Sequence, residues 1–277
     1  MNRLPAAARH LVLVLLALLA LFPLAFLLLN SVKSEIAYSQ DPLGLPVSFE
    51  WRNFADAFEV VIRPIFNSVV VVTASVIGIV TIAAMSAYAF TFMRFPLRRF
   101  LFVMVFALLL IPGVLTLIPL YLQIRRLDFA GISNTWGGLI LPYIAGGQAF
   151  SIFVLRTFFG GISKDLVDAA RVDGASEWHI LGKIVVPLSV PVLVSVVVIN
   201  VVPLWNDYLL PSLLLSENYR TLTIALVSLQ GNAETHSSSQ FGTLMAAYAI
   251  ACVPLAIVFS FLMRYYVQGL TSGALKL

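Results

Sequence analysis

Charge is scarce in this sequence. Asp, Glu, Lys and Arg together make up 11% of its 277 residues, whereas hydrophobic residues make up 60%. Soluble domains average about 25% charged and about 45–50% apolar residues. With a mean hydropathy of +0.98, the composition excludes an ordinary soluble domain and predicts a membrane protein. The single cysteine excludes a disulfide framework and a multi-cysteine metal site, and the three histidines lie too far apart to suggest a zinc cluster. We therefore predict no metal site.

Motifs for ATP binding and for catalysis are missing as well. The sequence has no G-x-x-x-x-G-K-[ST] loop, no H-E-x-x-H and no G-x-S-x-G. Asp207 is the only acidic residue within its apolar stretches, so a paired-carboxylate proton relay is absent too. We therefore expect no enzymatic activity, no catalytic residue and no cofactor in this chain, and we expect the energy for transport to come from another protein.

Six apolar stretches are each long enough to cross the roughly 30 Å hydrocarbon core as a helix of about 20 residues. They cover residues 11–29, 68–92, 100–122, 137–159, 188–214 and 244–266. The first stretch is too long for a typical signal peptide and lacks an A-x-A-like site, so we expect an uncleaved anchor. The predicted fold class is an all-α membrane protein with six transmembrane helices in one bundle.

The distribution of Lys and Arg predicts the orientation of the bundle. The formal net charge is +4, but the basic residues lie between apolar stretches, which indicates membrane orientation and no nucleic acid partner. Placing both termini in the cytoplasm puts more Lys and Arg on that side, although the pair Arg125–Arg126 runs against the rule. We expect residues 1–66 to form the first transmembrane helix and an extracytoplasmic loop. Residues 67–277 then form a five-helix core, with a cytoplasmic loop at 163–187 and a C-terminal tail at 267–277.

The charged segment DAARVDGASEWHILGKIVVP, residues 168–187, lies between two apolar stretches. Ser163 is a plausible N-cap, and the acidic residues Asp165 and Asp168 complement the start of a helix. Gly174 disfavours helix by about 1 kcal/mol relative to alanine, which suits a bend between two short helices. The pattern predicts a helix–turn–helix on the cytoplasmic surface, and an amphipathic loop packed on the membrane interface would also fit it.

This segment resembles the EAA loop of binding-protein-dependent ABC importer permeases, whose pattern is E-A-A-x3-G-x9-I-x-L-P. Six residues match it at the required spacing: Asp168, Ala169, Ala170, Gly174, Ile184 and Pro187. Asp168 replaces the glutamate and Val186 replaces the leucine. Other stretches, among them NTWGGLILPY, WNDYLLP and QGLTSGALKL, are similar to the carbohydrate branch of the family, which includes the smaller maltose-transporter permease. The resemblance covers roughly residues 50 to 277.

The resemblance implies a type I ABC importer permease in the bacterial inner membrane. It implies that the loop docks on an ATPase subunit through Asp168, Ala169, Ala170, Asp173, Gly174, Ala175, Trp178, Ile184 and Pro187. The C-terminal residues Thr271, Ser272 and Gly273 become further candidate contacts. The implied partners are a second, different permease, two ATPase subunits that bind ATP and Mg, membrane lipid, and an extracytoplasmic solute-binding protein. The implied solute is a sugar.

Two alternatives for the function remain open at this point. One is an importer of the same design for another solute, such as glycerol phosphate, and the other is a self-contained secondary transporter or channel. An anionic solute should require a cation near the membrane midplane, and the sequence places none there. Uptake by this chain alone would contradict the importer interpretation.

Polar and aromatic residues are concentrated in the fifth apolar stretch. Asn200, Pro203, Asp207 and Pro211 recur at i, i+3, i+7 and i+11, which predicts a shared helix face. Such groups suit a hydroxylated solute, so the candidate pathway residues are Asn200, Trp205, Asn206, Asp207 and Tyr208. Alternatively, Asn200 bonds a neighbouring helix while Trp205 and Tyr208 belong to the outer aromatic belt.

Overall fold

The computed structural model describes residues 6–126, 131, 133–235 and 241–274, without the side chains of Ala6, 232–235 and 264–274. All of the regular elements within these residues are helices, as predicted. In chain order they are α1 (Ala6–Ser31), α2 (Glu35–Gln40), α3 (Arg52–Phe92), α4 (Arg98–Ala107), α5 (Gly113–Arg126), α6 (Trp136–Phe159), α7 (Lys164–Val172), α8 (Glu177–Ile180), α9 (Val186–Leu188), α10 (Val190–Asn206), α11 (Leu209–Leu214), α12 (Leu222–Thr235) and α13 (Phe241–Ala274).

Four of these helices, α1, α3, α6 and α13, are long and apolar enough to cross a membrane. Two further spans result if each strongly bent helix pair counts as one, which gives up to six within the described residues. The first bent pair is α4 with α5, and the second runs from α8 through α10. The six predicted spans therefore correspond to four continuous helices and two broken ones.

The third predicted span, 100–122, is wrong as a continuous helix. α4 tightens into a 3₁₀ turn at Leu108–Leu110, and the chain then bends by 101° before α5. Ile111 is extended, with φ −88° and ψ 113°. Pro112 explains the break, because a proline disfavours helical backbone in the residue before it and lacks the N–H that a continuing helix needs.

The fifth predicted span, 188–214, is also broken. An 81° bend at Ser189, which precedes Pro191, separates α9 from α10. α10 ends at Asn206, because Asp207 is extended with φ −67° and ψ 129°. The prediction that Asn200, Pro203, Asp207 and Pro211 share one continuous helix face is therefore wrong beyond Pro203.

Two segments outside the predicted spans are largely helical. The last part of the predicted extracytoplasmic loop, from Arg52 onwards, is the beginning of α3, which continues without a break for 41 residues. Residues 215–243, which separate the fifth and sixth predicted spans, contain α12, and only residues 236–240 among them lie outside the described part of the chain. The predicted tail likewise begins inside α13, whose backbone is helical through Ala274.

By its contacts the chain divides into two compact units, which we describe separately. The first consists of residues 1–65 and 224–255. Its polar centre follows the end of α1, where Lys33 is only 2% exposed and its Nζ donates to the carbonyl oxygens of Asp41 (2.9 Å) and Pro42 (3.1 Å). The Asn53 amide donates to the carbonyl oxygens of Ser31 and Lys33, each at 3.0 Å. These bonds hold the α1–α3 connection closed on itself.

The second unit consists of residues 66–223 and 256–277 and holds the candidate functional residues. At one end, the buried Asn67 amide donates to the carbonyl oxygens of Asn218 (3.3 Å) and Arg220 (2.9 Å), while its Oδ1 accepts from Trp136 Nε1 (3.3 Å). The next residue, Ser68, accepts a 2.8 Å bond from the Leu222 backbone N–H. Asn67 and Ser68 of α3 thus attach the segment that precedes α12 to α3, and Asn67 also bonds to α6.

Candidate functional site

The charged loop, which we define as residues 163–187, forms the predicted helix–turn–helix. α7 ends in a Schellman motif with Gly174 at the left-handed position, φ +82°. The Ala175 N–H donates to the Ala170 carbonyl and the Gly174 N–H donates to the Arg171 carbonyl, both at 3.0 Å. The predicted bend at Gly174 is confirmed. Ser163 occupies the N-cap position of α7 but makes no side-chain capping bond.

Arg171 joins the two halves of the charged loop to α3. Its Nε donates to Glu177 Oε1 at 2.8 Å, and its Nη1 donates to Asp168 Oδ1 at 2.9 Å. Its Nη2 donates to Glu177 Oε2 (3.1 Å) and to the Phe92 carbonyl at the end of α3 (3.2 Å). The buried Tyr88 hydroxyl of α3 also donates to Glu177 Oε2. The loop is therefore bound to α3 by one continuous network of charge-assisted bonds.

This network is missing from our sequence analysis, although the sequence contains one signal for it. Asp168 and Arg171 have the i, i+3 spacing of helical ion pairs. The hydrogen bonds to Glu177 are the main reason why the pKa of the Arg171 side chain is raised above its ordinary value. Arg171 stays cationic at every physiological pH, so the network does not depend on its titration. The link to Tyr88 spans 89 residues and leaves no trace in local spacing.

One side of the charged loop is packed against the long helices. Val167, Ile180, Leu181 and Val185 are buried in a cluster with residues of α3, α6 and α10, among them Leu155. Between Ile180 and Val186 the backbone widens into π turns over Leu181–Val185, a feature that is frequent at functional sites. The loop is thus an ordered part of the second unit, held by both apolar and polar contacts.

The other side of the charged loop is exposed. Of the nine predicted docking residues, six are exposed, namely Asp168, Ala169, Asp173, Gly174, Trp178 and Pro187. The remaining three, Ala170, Ala175 and Ile184, are half-buried against the apolar cluster. Large apolar side chains of the loop are also exposed, above all Val172 at 88% and Trp178 at 69%. Large exposed apolar side chains, tryptophan among them, are typical of a surface that binds a partner protein.

A cavity of about 520 Å³ lies among α5, α6, α10 and α11, and we call it the Asp207 cavity. Its volume is within the range of small-molecule sites, about 300–1,000 Å³. Apolar residues and glycines form most of its wall, and its polar side chains are Thr116, Tyr143, Asn200 and Asp207. All fifteen lining residues belong to the second unit, and none is cationic.

The polar side chains of this cavity have defined orientations. The Tyr143 hydroxyl donates to Asp207 Oδ2 at 2.6 Å, and Asp207 Oδ1 accepts from the Leu209 N–H at 3.0 Å, at the start of α11. The Asn200 amide nitrogen donates to Ser151 Oγ (3.1 Å) and to the Val196 carbonyl (2.8 Å). No described residue donates to Asn200 Oδ1, so this acceptor is available to a hydroxyl group in the cavity.

The structure separates the five predicted pathway residues. Asn200 and Asp207 line the Asp207 cavity, whereas Trp205, Asn206 and Tyr208 do not. Trp205 is buried at 8% exposure, and its carbonyl accepts from Thr223 Oγ1 at 3.0 Å. The exposed Asn206 side chain donates to the Val202 carbonyl at 2.8 Å. Trp205 and Asn206 follow Asn200 in α10 by five and six residues, a spacing that places them on other sides of the helix, and Tyr208 lies beyond the end of α10.

Most of the other lining residues were not predicted from the sequence, among them Tyr143, Gly146 and Gly147 of α6. Their i, i+3, i+4 spacing places them on one helix face, and that spacing was the available signal. Gly147 permits close packing, because a β-carbon there would lie 2.5 Å from Ile79 Cδ1 and 2.9 Å from Asn200 Oδ1. Gly146 has open space within 4 Å. The side chains of Thr271, Ser272 and Gly273, the predicted tail contacts, lie outside the described residues.

Known proteins resemble this chain over most of its length. The model of the family described as binding-protein-dependent transport system inner membrane component matches residues 79–272. The diacetylchitobiose uptake system permease protein NgcG of Streptomyces coelicolor is 29% identical, over 98% of this chain and 89% of that protein. The sn-glycerol-3-phosphate transport system permease protein UgpE of Pectobacterium atrosepticum is 31% identical, over 95% of each chain.

A solved structure shares the fold. It is a chain of a bacterial ABC transporter involved in the import of the acidic polysaccharide alginate, with a TM-score of 0.79 and 22% identity. The superposition covers 96% of this chain and all of the other. The fold is thus that of a multi-pass, all-α membrane protein.

More specifically, the chain belongs to the family of binding-protein-dependent transport system inner membrane components. It is an inner-membrane permease of an ABC importer, a transport subunit without its own ATPase site, which works with ATPase subunits and a solute-binding protein.

Proposed function

We propose that this permease imports a neutral sugar, that the solute passes the Asp207 cavity, and that a second, different permease completes the pathway. The observation that carries the proposal is the polar wall of that cavity. It offers the acceptor of Asn200, the carboxylate of Asp207 and the hydroxyl of Tyr143 beside apolar surface. Sugars present hydroxyl groups and apolar C–H faces, so this combination suits them.

The charge of the cavity favours a neutral solute over an anionic one. Asp207 is acidic, and no lining residue supplies a cation. Phosphate groups in proteins are bound by Arg, Lys or clustered N–H donors, and two unit charges of the same sign repel by about 4 kcal/mol at 4 Å and an effective dielectric constant of 20. The acidic lining therefore favours a sugar, as in the diacetylchitobiose uptake relative, over glycerol phosphate, as in the glycerol-3-phosphate relative.

The α5 wall of the cavity supports a partner permease. Val114 lines the cavity and is 72% exposed, and its neighbours Leu115 and Ile118 are 71% and 66% exposed. This chain alone therefore leaves that wall open, and a second membrane subunit packed against α5 would close it. A partner of different sequence would supply the remaining solute contacts.

The charged loop is the proposed contact with the ATPase. Its exposed side carries Asp168, Asp173 and Trp178, and its packed side continues through the bend at Ser189 into α10. Closure of ATPase subunits that bind ATP and Mg would push on the loop and switch the cavity between outward and inward access. With both termini on the same side as the loop, the α13 end would lie near the ATPase as well.

Reconstitution tests this proposal. The chain, its partner permease, the ATPase subunits and the solute-binding protein are placed in proteoliposomes, and uptake of labelled neutral sugars and of glycerol phosphate is measured with and without ATP. Asn200→Ala should reduce sugar uptake by about fivefold to tenfold, the equivalent of one hydrogen bond of about 1–1.4 kcal/mol. The control is Asn206→Ala, which removes an exposed amide near the cavity that does not line it.

Three results would refute parts of the proposal. Uptake of glycerol phosphate without uptake of any neutral sugar would overturn the solute class. Equal effects of Asn200→Ala and Asn206→Ala would remove the Asp207 cavity from the pathway. Full transport with two copies of this chain and no second permease would refute the heteromeric arrangement.

A further inference from the structure

A second cavity of about 520 Å³ lies where α3 ends, next to the charged loop, and we call it the Arg94 cavity. Four cationic side chains line it: Arg94, Arg98, Lys164 and Arg171. Asp168 is the only acidic side chain among its lining residues. The cavity is therefore strongly positive, in contrast to the Asp207 cavity.

The four cations differ in how far they are already neutralised. Arg171 forms ion pairs with Asp168 and Glu177 at 2.9 and 2.8 Å. Arg98 donates from Nη1 to the Met93 carbonyl at 2.9 Å, a bond that occupies one donor without neutralising the charge. Neither Arg94 nor Lys164 has an ion-pair partner among the described residues. Asp168, the one acidic lining residue, is thus paired with Arg171, and the other three cations have no ion-pair partner within the described residues, an arrangement that favours an incoming anion.

The backbone brings these cations together from separate elements. Arg94 and Arg98 flank the tight connection between α3 and α4, where Leu97 has a left-handed φ of +60°. For a residue with a β-carbon that conformation costs about 1–2 kcal/mol. Lys164 belongs to the first turn of α7. Arg98, the first residue of α4, lines the same cavity as Lys164.

The position of the Arg94 cavity at the end of α3 indicates which kind of anion it would bind. The apolar run of this candidate span ends at Phe92, which lines the cavity together with Phe95. A cavity at the end of a membrane span, with aromatic rings beside cations, lies at the depth of lipid headgroups. We propose that the Arg94 cavity binds a phosphate group, and that the phosphate belongs to the headgroup of an anionic phospholipid.

A lipid at this position would contact the charged loop through Lys164, four residues before Asp168. The proposed ATPase contact and the lipid contact would then share one short helix. This site is independent of the solute, so failure of the sugar proposal would leave it unaffected.

The test uses the full chain in nanodiscs or detergent, with binding of phosphatidylglycerol measured by native mass spectrometry against phosphatidylcholine and against inorganic phosphate. Arg94→Gln with Lys164→Gln should weaken phosphatidylglycerol binding by about thirtyfold, since each cation near a membrane surface contributes about a factor of five. The matched control is Arg9→Gln with Arg99→Gln. It removes two exposed cations that do not line the cavity and should change binding by less than twofold.

Each outcome bears on the proposal. Equal losses in the two double variants would reduce the effect to general surface charge and overturn the site. Displacement of the lipid by low concentrations of inorganic phosphate would overturn the lipid source. Loss of lipid binding when the ATPase subunits are added would assign the cavity to the ATPase interface and refute the proposal.

Discussion

The Arg171 network supports a quantitative prediction for Glu177→Ala. The substitution removes two guanidinium–carboxylate bonds of 2.8 and 3.1 Å and leaves the Tyr88 hydroxyl, in a residue only 3% exposed, without its acceptor. The side chains of Arg171 and Glu177 are 31% and 40% exposed, so solvent screens the pair in part. Exposed ion pairs contribute about 0.2–1 kcal/mol, and breaking a buried pair costs about 3–5 kcal/mol. For this half-exposed pair we therefore expect a loss of about 2 kcal/mol of stabilising free energy.

This cost should fall on the local opening of the charged loop, because the loop is attached to α3 through this network. A loss of about 2 kcal/mol raises the open population about thirtyfold. Amide hydrogen exchange over α7 and α8, followed by mass spectrometry, should accelerate by that factor. Exchange in α6, which Glu177 does not bond, should stay unchanged.

Asp173→Asn is the matched control for this experiment. Asp173 is an exposed acid of the same loop, and it has no ion-pair partner in the described part of the chain. Unchanged exchange in Glu177→Ala, or equal acceleration in both variants, would refute the reasoning. Acceleration throughout the chain would instead indicate global destabilisation, which contradicts a local role for the network.

Three further predictions follow from single positions. Gly174→Leu places a β-carbon at φ +82°, at a cost of about 1–2 kcal/mol. It should uncouple ATP hydrolysis from transport while membrane insertion stays intact. Unchanged transport per ATP hydrolysed would contradict the docking role. Asn67→Ala removes three hydrogen bonds and should lower the free energy of unfolding by about 2–3 kcal/mol, measured as a loss of thermal stability in detergent. Gly147→Ala should lower thermal stability, because its β-carbon would lie 2.5 Å from Ile79 Cδ1. Gly146→Ala is the control and should leave thermal stability unchanged, because Gly146 has open space around it. Equal losses in both variants would contradict the close packing at Gly147.

Much of the fold could be predicted from the sequence, because long apolar runs leave few alternatives to helices in a membrane. The span predicted at 137–159 matches α6, which begins one residue earlier at Trp136. The breaks at Pro112 and Ser189 were harder to predict, since a proline within a span bends the helix in some contexts and is tolerated in others. Pro142 remains inside α6 without ending it. Only the packing of neighbouring segments decides between these outcomes.

The candidate site was predicted where chemistry follows local spacing and was missed where it depends on distant contacts. The bend at Gly174 was predicted from helix propensity, and the left-handed φ explains the requirement for glycine, whereas the docking role of Gly174 rests on the family resemblance and stays a prediction. Tyr143 and Asp207 are 64 residues apart, and no periodicity connects them. Trp205 illustrates the opposite error: it is adjacent in sequence to the pathway residues, yet it is buried away from the cavity.

The charged loop and the Asp207 cavity lie at different levels of the same helices. α6 contributes Leu155 and Phe159 to the cluster that packs the loop, and it contributes Tyr143 to the cavity. At 1.5 Å per residue, Tyr143 and Phe159 are about 24 Å apart along one unbroken helix. α10 begins directly after the loop and contributes Asn200 to the cavity. A displacement of the loop would therefore be transmitted to the Tyr143–Asp207 bond through α6 and α10. In α10, the bend at Ser189 would decide how much of that displacement reaches the cavity.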